Sequence, residues 1–143
     1  MFQNILVVFI TLRHTEHTYK AAFELAKKFN SKITFLKCIV KPLPTFGFFH
    51  TKGEKKSHEK ELQDAETSFN EIEDLAIKFD IPIKTQVESV ESFPEFLVSH
   101  IEKNHFDLLI IDSHSLGEAV EKDHKATINK IFEEISCPLL TLK

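Results

Sequence analysis

Glycine is scarce in this chain: three residues of 143. A phosphate cradle needs bare main chain, which glycine supplies, and the elbow Ile10-Thr11-Leu12-Arg13-His14 contains neither glycine nor acid. Cysteine is equally sparse. Cys38 and Cys137 have no C-x-x-C partner, which excludes the usual zinc and redox spacings. They read as buried free thiols of a reducing compartment. There is no Trp and one Tyr, against fourteen Phe, so a Phe-filled core is expected. Excess positive charge is also missing. The formal charge is −4, and Lys52-Gly53-Glu54-Lys55-Lys56 is too short and mixed for a basic arm, which argues against a nucleic-acid binder. No apolar run approaches the ~20 residues of a membrane span, and the first residues lack a basic n-region. The expectation is a soluble cytoplasmic protein.

What is present fits one domain over residues 1–143. A chain of this length buries roughly 70% of its unfolded surface and needs no disulfides for a core. Hydrophobic residues at 42% and charged residues at 28% are ordinary globular values. Eight His would move the net charge toward zero as pH falls through about 6.5.

Residues 4–10 form a β-branched-rich run that suits a strand covered on both faces. A helix follows, with Thr15 as N-cap, Glu16 in its first turn, and Ala22, Leu25, Ala26 and Phe29 as its apolar stripe. A second strand covers 33–40. A long connection, Lys41 to Lys56, carries Pro42, Pro44, Gly47 and Gly53. From Ser57 to Phe79, Leu62, Ala65, Phe69, Ile72, Ala76 and Phe79 recur at steps of three and four, the mark of one long helix. Residues 82–88 alternate with period two and open with Pro82, as an edge strand does. Ser92 and Glu95 have capping-box spacing, and Phe93, Leu97 and Ile101 point the next helix inward. Residues 107–112 read as a buried central strand. Ile128, Ile131, Phe132 and Ile135 mark the last helix, and 138–142 the last strand. Alternating strands and helices imply a three-layer α/β/α domain with a parallel sheet and right-handed crossovers. Ligands of such sheets bind beyond the carboxyl ends of the strands, where strand order reverses.

With the strands in place, the chain resembles a universal stress protein over nearly its whole length. "NILVVF" and "AAFELAKKFNSKITFLKCIV" are similar to that family's opening strand, helix and second strand; "FDLLIID" resembles its fourth strand, and "ISCPLLTLK" its ending. The resemblance implies a five-stranded sheet in the order 3-2-1-4-5, with a crevice above the first and fourth strands. It also implies a homodimer through the last strand, with Leu139 or Leu140 at the seam. Nucleotide-binding members carry an acid at the end of the first strand and G-x2-G-x9-G-S/T after the fourth. Aligned without gaps, the acid position falls on Ile10 and the turn glycine on Thr11. The first glycine of the later motif falls near Asp112 or Ser113, and its Gly-Ser pair on Lys125-Ala126. Gly117 does not restore the spacing. The resemblance thus gives Ile10, Thr11, Ser113, Gly117 and Lys125 as cleft positions, with the ATP chemistry degenerate.

Histidines offer another chemistry. His14 and His17 have H-x-x-H spacing, and His114 and His124 flank the loop after the fourth strand. Converged, they would form a site for zinc or another divalent metal; solvated, they would do nothing. His50, His58, His100 and His105 read as scattered surface residues. Phe46-Gly47-Phe48-Phe49 would fold back on the sheet edge, form a lid, or meet a partner. Asp112-Ser113-His114-Ser115 holds the residue types of a triad but as chain neighbours, a poor geometry for catalysis, and no G-x-S-x-G elbow exists. The expectation is a non-catalytic stress-response or regulatory binding module without a conventional cofactor, with no nucleic-acid or membrane partner. An atypical ATP or AMP binder and a His-based metal protein are the alternatives.

Overall fold

The computed structural model describes residues 1–9, 16–40, 52–112 and 121–142; for residues 40, 52–55, 57–58, 112 and 121–125 only the backbone is described. The elements are β1 (Asn4–Phe9), α1 (Glu16–Phe29), β2 (Lys32–Val40), α2 (Lys52–Ser68), α3 (Asn70–Phe79), β3 (Ile83–Val90), α4 (Phe93–Asn104), β4 (Leu108–Asp112), α5 (Glu121–Glu134) and β5 (Leu139–Leu142). The sheet has five strands in the order β3-β2-β1-β4-β5, and each neighbouring pair is parallel. Together with the helices on its two faces, it is the three-layer arrangement expected from the sequence.

The strand side chains divide by parity between two cores. Ile5, Val7, Phe9, Ile33, Phe35 and Ile110 pack toward α1 and α3, where Tyr19, Phe23 and Ile72 meet them. Leu6, Val8, Leu36, Cys38, Leu109 and Ile111 pack on the other face against Phe93, Leu97 and Ile101 of α4 and Ile131 of α5. Covering both faces requires strands with few polar residues, and β1 and β4 supply them. The two strand starts are pinned by Asp107. Its carboxylate accepts from the main-chain N–H of Gln3 at 2.9 Å and of Asn4 at 3.0 Å, while its own N–H donates to Asn4 C=O.

The expected single helix from Ser57 to Phe79 is in fact two, and it starts earlier, at Lys52, so the connection is shorter than Lys41–Lys56. The break falls at Phe69, between α2 and α3. Ser68 Oγ donates back to Ala65 C=O at 2.6 Å and itself accepts from Lys37 Nζ. A hydroxyl that competes with the backbone in this way disturbs the helical ladder, and Phe69 N–H turns to Glu66 C=O instead.

Several predicted faces are rotated. In α1, Thr18, Tyr19 and Phe23 are buried beside Ala22 and Ala26, whereas Phe29 is 40% exposed and meets Phe2 edge-on, with ring centres 5.5 Å apart. Phe79 and Phe132, both expected inside, are largely exposed, and Ile135 lies just beyond α5. The Phe core is therefore partial: Phe9, Phe23, Phe35, Phe69, Phe93 and Phe106 are buried. Ser92 does cap α4 by position, but it makes no side-chain bond to the helix amides. Its hydroxyl donates to the Glu95 carboxylate, which Lys130 also engages.

Scarce glycine leaves its mark on the helix ends. Asn30, Asp80 and His105 stand in the left-handed region after α1, α3 and α4, with φ of 56°, 54° and 54°. That conformation lets Ser31 N–H reach Ala26 C=O and Ile81 N–H reach Ala76 C=O, closing the helix ends as a glycine would.

Candidate functional site

Topology fixes where a ligand site lies. β1 is flanked by β2 on one side and β4 on the other. The chain leaves β1 toward one face, through α1, and reaches β4 from the other, through α4. The strand order reverses between β1 and β4, so their carboxyl ends bound the crevice. Val8 is in register with Ile111 of β4 and Leu36 of β2, so the carboxyl ends of β1 and β4 lie at the same edge of the sheet. Ile10, Thr11, His14, Ser113, His114 and Gly117 lie outside the described residues. Only the backbone of His124 and Lys125 is described, near the start of α5. His17 is exposed on α1. Among the described residues no cluster of His, Cys, Asp or Glu could hold a metal ion. The Phe46–Phe49 segment also lies outside them.

Beside the crevice is a group that sequence reasoning passed over. Lys37, in register with Phe9 on the neighbouring strand, is fully buried. Its ammonium lies 5.1 Å from the centre of the Phe69 ring and 5.8 Å from that of Phe9, and donates to Ser68 Oγ. The ring faces and the carboxyl end of α2 favour a cation. Desolvation nonetheless dominates and brings its pKa down to about 8. The signal was legible: one lysine within the otherwise apolar Phe35-Leu36-Lys37-Cys38-Ile39. Its side chain points to the α1/α3 face, as the odd residues of β2 do. It places a dry positive charge beneath the carboxyl edge of the sheet.

Two further polar groups escaped the sequence reading. The Tyr19 hydroxyl donates to Glu71 Oε1 at 3.0 Å; burial and that carboxylate push its pKa up to about 12. The pair spans a cavity of about 660 Å³ between α1 and α3, floored by Phe23, Leu75, Phe79 and Ile81. This cavity lies on the outer helical layer, away from the crevice. His100, expected on the surface, is half-buried between the rings of Phe96 and Phe106, and its Nε2 has no partner among the described residues. Burial holds its pKa below the usual histidine value, opposed by Glu88 and assisted by Lys84 and Lys103. Cys38 is buried and its thiol is pushed up to about 12, first by burial and then by Glu88, so it is inert. Cys137 is half-buried, its thiol raised by burial.

Among the described residues no helix is long and apolar enough to cross a membrane. No protein-family model matches the sequence, and no curated protein matches it. Solved structures do. The universal stress protein UspA from Lactobacillus plantarum superposes with a TM-score of 0.79 at 13% identity, over 99% of this chain and 98% of that one. A universal stress protein family protein from Arabidopsis thaliana with AMP bound gives 0.60 at 11% identity, over 99% and 91% of the two chains. The universal stress protein from Archaeoglobus fulgidus in complex with dAMP gives 0.59 at 11% identity, over 100% of both. Strand order and these whole-chain superpositions converge: the chain carries the universal stress protein fold.

Proposed function

We propose that this protein is a non-catalytic stress-response or regulatory binding module of the cytoplasm whose crevice does not take ATP in the glycine-cradled way. The observation that carries the reading is the sequence at the crevice edge. Ile10 stands where nucleotide-binding universal stress proteins have an acid, and Lys125-Ala126 where they have Gly-Ser. An isoleucine cannot accept a hydrogen bond from a ribose or adenine edge. A Cβ at positions 113, 125 and 126 obstructs the approach of phosphate oxygens to main-chain N–H groups. The apolar patterning of the strands requires neither that acid nor those glycines, so a scaffold of this kind is compatible with their loss.

A second reading is an atypical adenine-nucleotide binder. AMP and dAMP in the Arabidopsis and Archaeoglobus neighbours favour it, and Lys125 and Ser113 would be its phosphate ligands. The test is to purify the protein, denature it, and identify what was carried along by mass spectrometry and metal analysis. The first reading predicts no stoichiometric adenine nucleotide. Recovered AMP or ATP at one per chain supports the second, and stoichiometric zinc would turn attention to His14, His114 and His124.

The module is further proposed to pair with a second copy through β5. The Leu109 N–H donates to Pro138 C=O, so in β5 the even residues face β4 and the main chain of Thr141 faces outward. Thr141→Pro removes that donor without touching the ladder to β4. It is expected to weaken this dimer, as read by sedimentation.

A further inference from the structure

The opposite edge of the sheet is long and regular. β3 is eight residues long, and its register with β2 runs unbroken from Ile33↔Ile83 to Val40↔Val90. It therefore contains no bulge, and no proline interrupts it after Pro82. Among the described residues no strand pairs with its outer side. Natural sheets protect such an edge by shortening it, bending it, placing charge along it, or covering it with a helix or loop; here α2 packs beside β3. Here the first two devices are absent and the charge is of both signs.

The hydrogen-bond direction is fixed by one contact. Ile33 N–H donates to Pro82 C=O at 3.1 Å. In a parallel ladder alternate residues turn both main-chain groups to the same side. The even residues, Lys84, Gln86 and Glu88, thus bond to β2, and the main-chain groups of Thr85 and Val87 face outward. An antiparallel copy laid along this edge, with a twofold axis at Gln86, puts Thr85 of one copy opposite Val87 of the other as hydrogen-bonded pairs. Lys84 of one copy then falls opposite Glu88 of the other, twice, as non-hydrogen-bonded pairs, where side chains come closest. Any other register loses this double match of opposite charges. Both charges lie on the α4 side of the sheet, where they act on His100.

A second observation adds apolar surface at the same place. Glu73 of α3 accepts from Thr85 Oγ1 at 3.2 Å, so that flank of α3 overlooks β3. Ile77, one turn further on the same flank, is 80% exposed. We propose that β3 is a homotypic docking edge: two copies pair antiparallel across a twofold axis at Gln86, fixed by reciprocal Lys84–Glu88 contacts and flanked by Ile77. With β5 engaged as well, each copy would carry two different isologous edges, and assembly would extend beyond a dimer.

The test uses the full chain carrying Thr141→Pro, which isolates β3 from the β5 contact, and reads self-association by sedimentation up to millimolar concentration. This background protein is expected to dimerise. Adding Lys84→Glu or Glu88→Lys makes both cross-strand pairs like-charged and should weaken the dimer about tenfold or more. The two variants mixed one to one restore opposite pairs and should form a heterodimer that neither forms alone. Thr85→Pro, which removes an outward N–H at an edge position that tolerates proline, should also dissociate it. Far-ultraviolet circular dichroism confirms that each variant is folded. A monomeric Thr141→Pro protein would overturn the β3 proposal and leave the β5 contact standing. Unweakened dimers in both charge variants, or a mixture that stays dissociated, would also overturn it. If Thr141→Pro does not weaken assembly of the native protein while Thr85→Pro dissociates it, the β3 proposal stands and the β5 reading fails.

Discussion

Burial of the Lys37 ammonium costs the fold stability. Its pKa of about 8, against an ordinary value of 10.5, corresponds to a penalty of up to about 3 kcal/mol on the charged form in the folded chain relative to the unfolded one. The sign follows from proton binding. Between about pH 8 and 10.5 the unfolded chain holds the proton and the folded chain does not, so stability rises with pH through that window; below it the full cost is present. Lys37→Met fills the same space without the charge and is expected to raise unfolding free energy by roughly 1–3 kcal/mol at pH 7. Denaturant midpoints should show the gain shrinking as pH rises from about 8 to 10.5. A variant less stable at pH 7 would mean that the ring faces, Ser68 and the end of α2 more than offset desolvation. His100 behaves alike on the acid side. Its depressed pKa means that the unfolded chain binds the proton first as pH falls, so stability drops below about pH 6.5. Lys84 and Lys103 from the strand and helix around it add to that drop, and Glu88 reduces it. His100→Phe should stack between Phe96 and Phe106 and flatten the acid limb. An unchanged melting-temperature profile between pH 5 and 8 would contradict this.

At the scale of elements, sequence reading succeeded where one force decides. The runs Ile5–Phe9 and Leu108–Ile111 are short, β-branched-rich and apolar on both faces, which suits a central parallel strand, and their side chains divide between the two cores. Phe93, Leu97 and Ile101 share one helical stripe and are buried together. It failed where a tertiary partner intervenes. The α2/α3 break falls where Lys37 meets Ser68 across the core, a contact that no local pattern announces. Phe29, Phe79 and Phe132 satisfy a helical period yet lie at element ends with little to cover them. The three left-handed helix ends follow from composition itself, since the chain has almost no glycine to place there. Asp80 is the costliest, because its carboxylate also sits at the negative end of α3. Asp80→Gly is expected to add about 1 kcal/mol of stability, measured by chemical denaturation. No gain would mean that the Asp80 side chain contributes a bond of its own.

For the whole molecule, the order β3-β2-β1-β4-β5 decides where strand order reverses and which strands lie at the edges of the sheet among the described residues. The scaffold was readable because it rests on apolar patterning spread along the chain. The crevice entered the sequence reading only as expected departures at Ile10, Thr11, Ser113 and Lys125; the first three lie outside the described residues, and of Lys125 only the backbone is described. Lys37 beneath the carboxyl edge and the matched charges of β3 became visible only once strands were in register. The central claim is that the universal stress protein fold here persists without a triphosphate cradle. Titration calorimetry of the native protein with ATP tests it most directly. The account predicts no saturable heat up to about 1 mM, an affinity weaker than about −4 kcal/mol. Binding of one ATP per chain in the micromolar range, lost on substitution of Lys125, would contradict it.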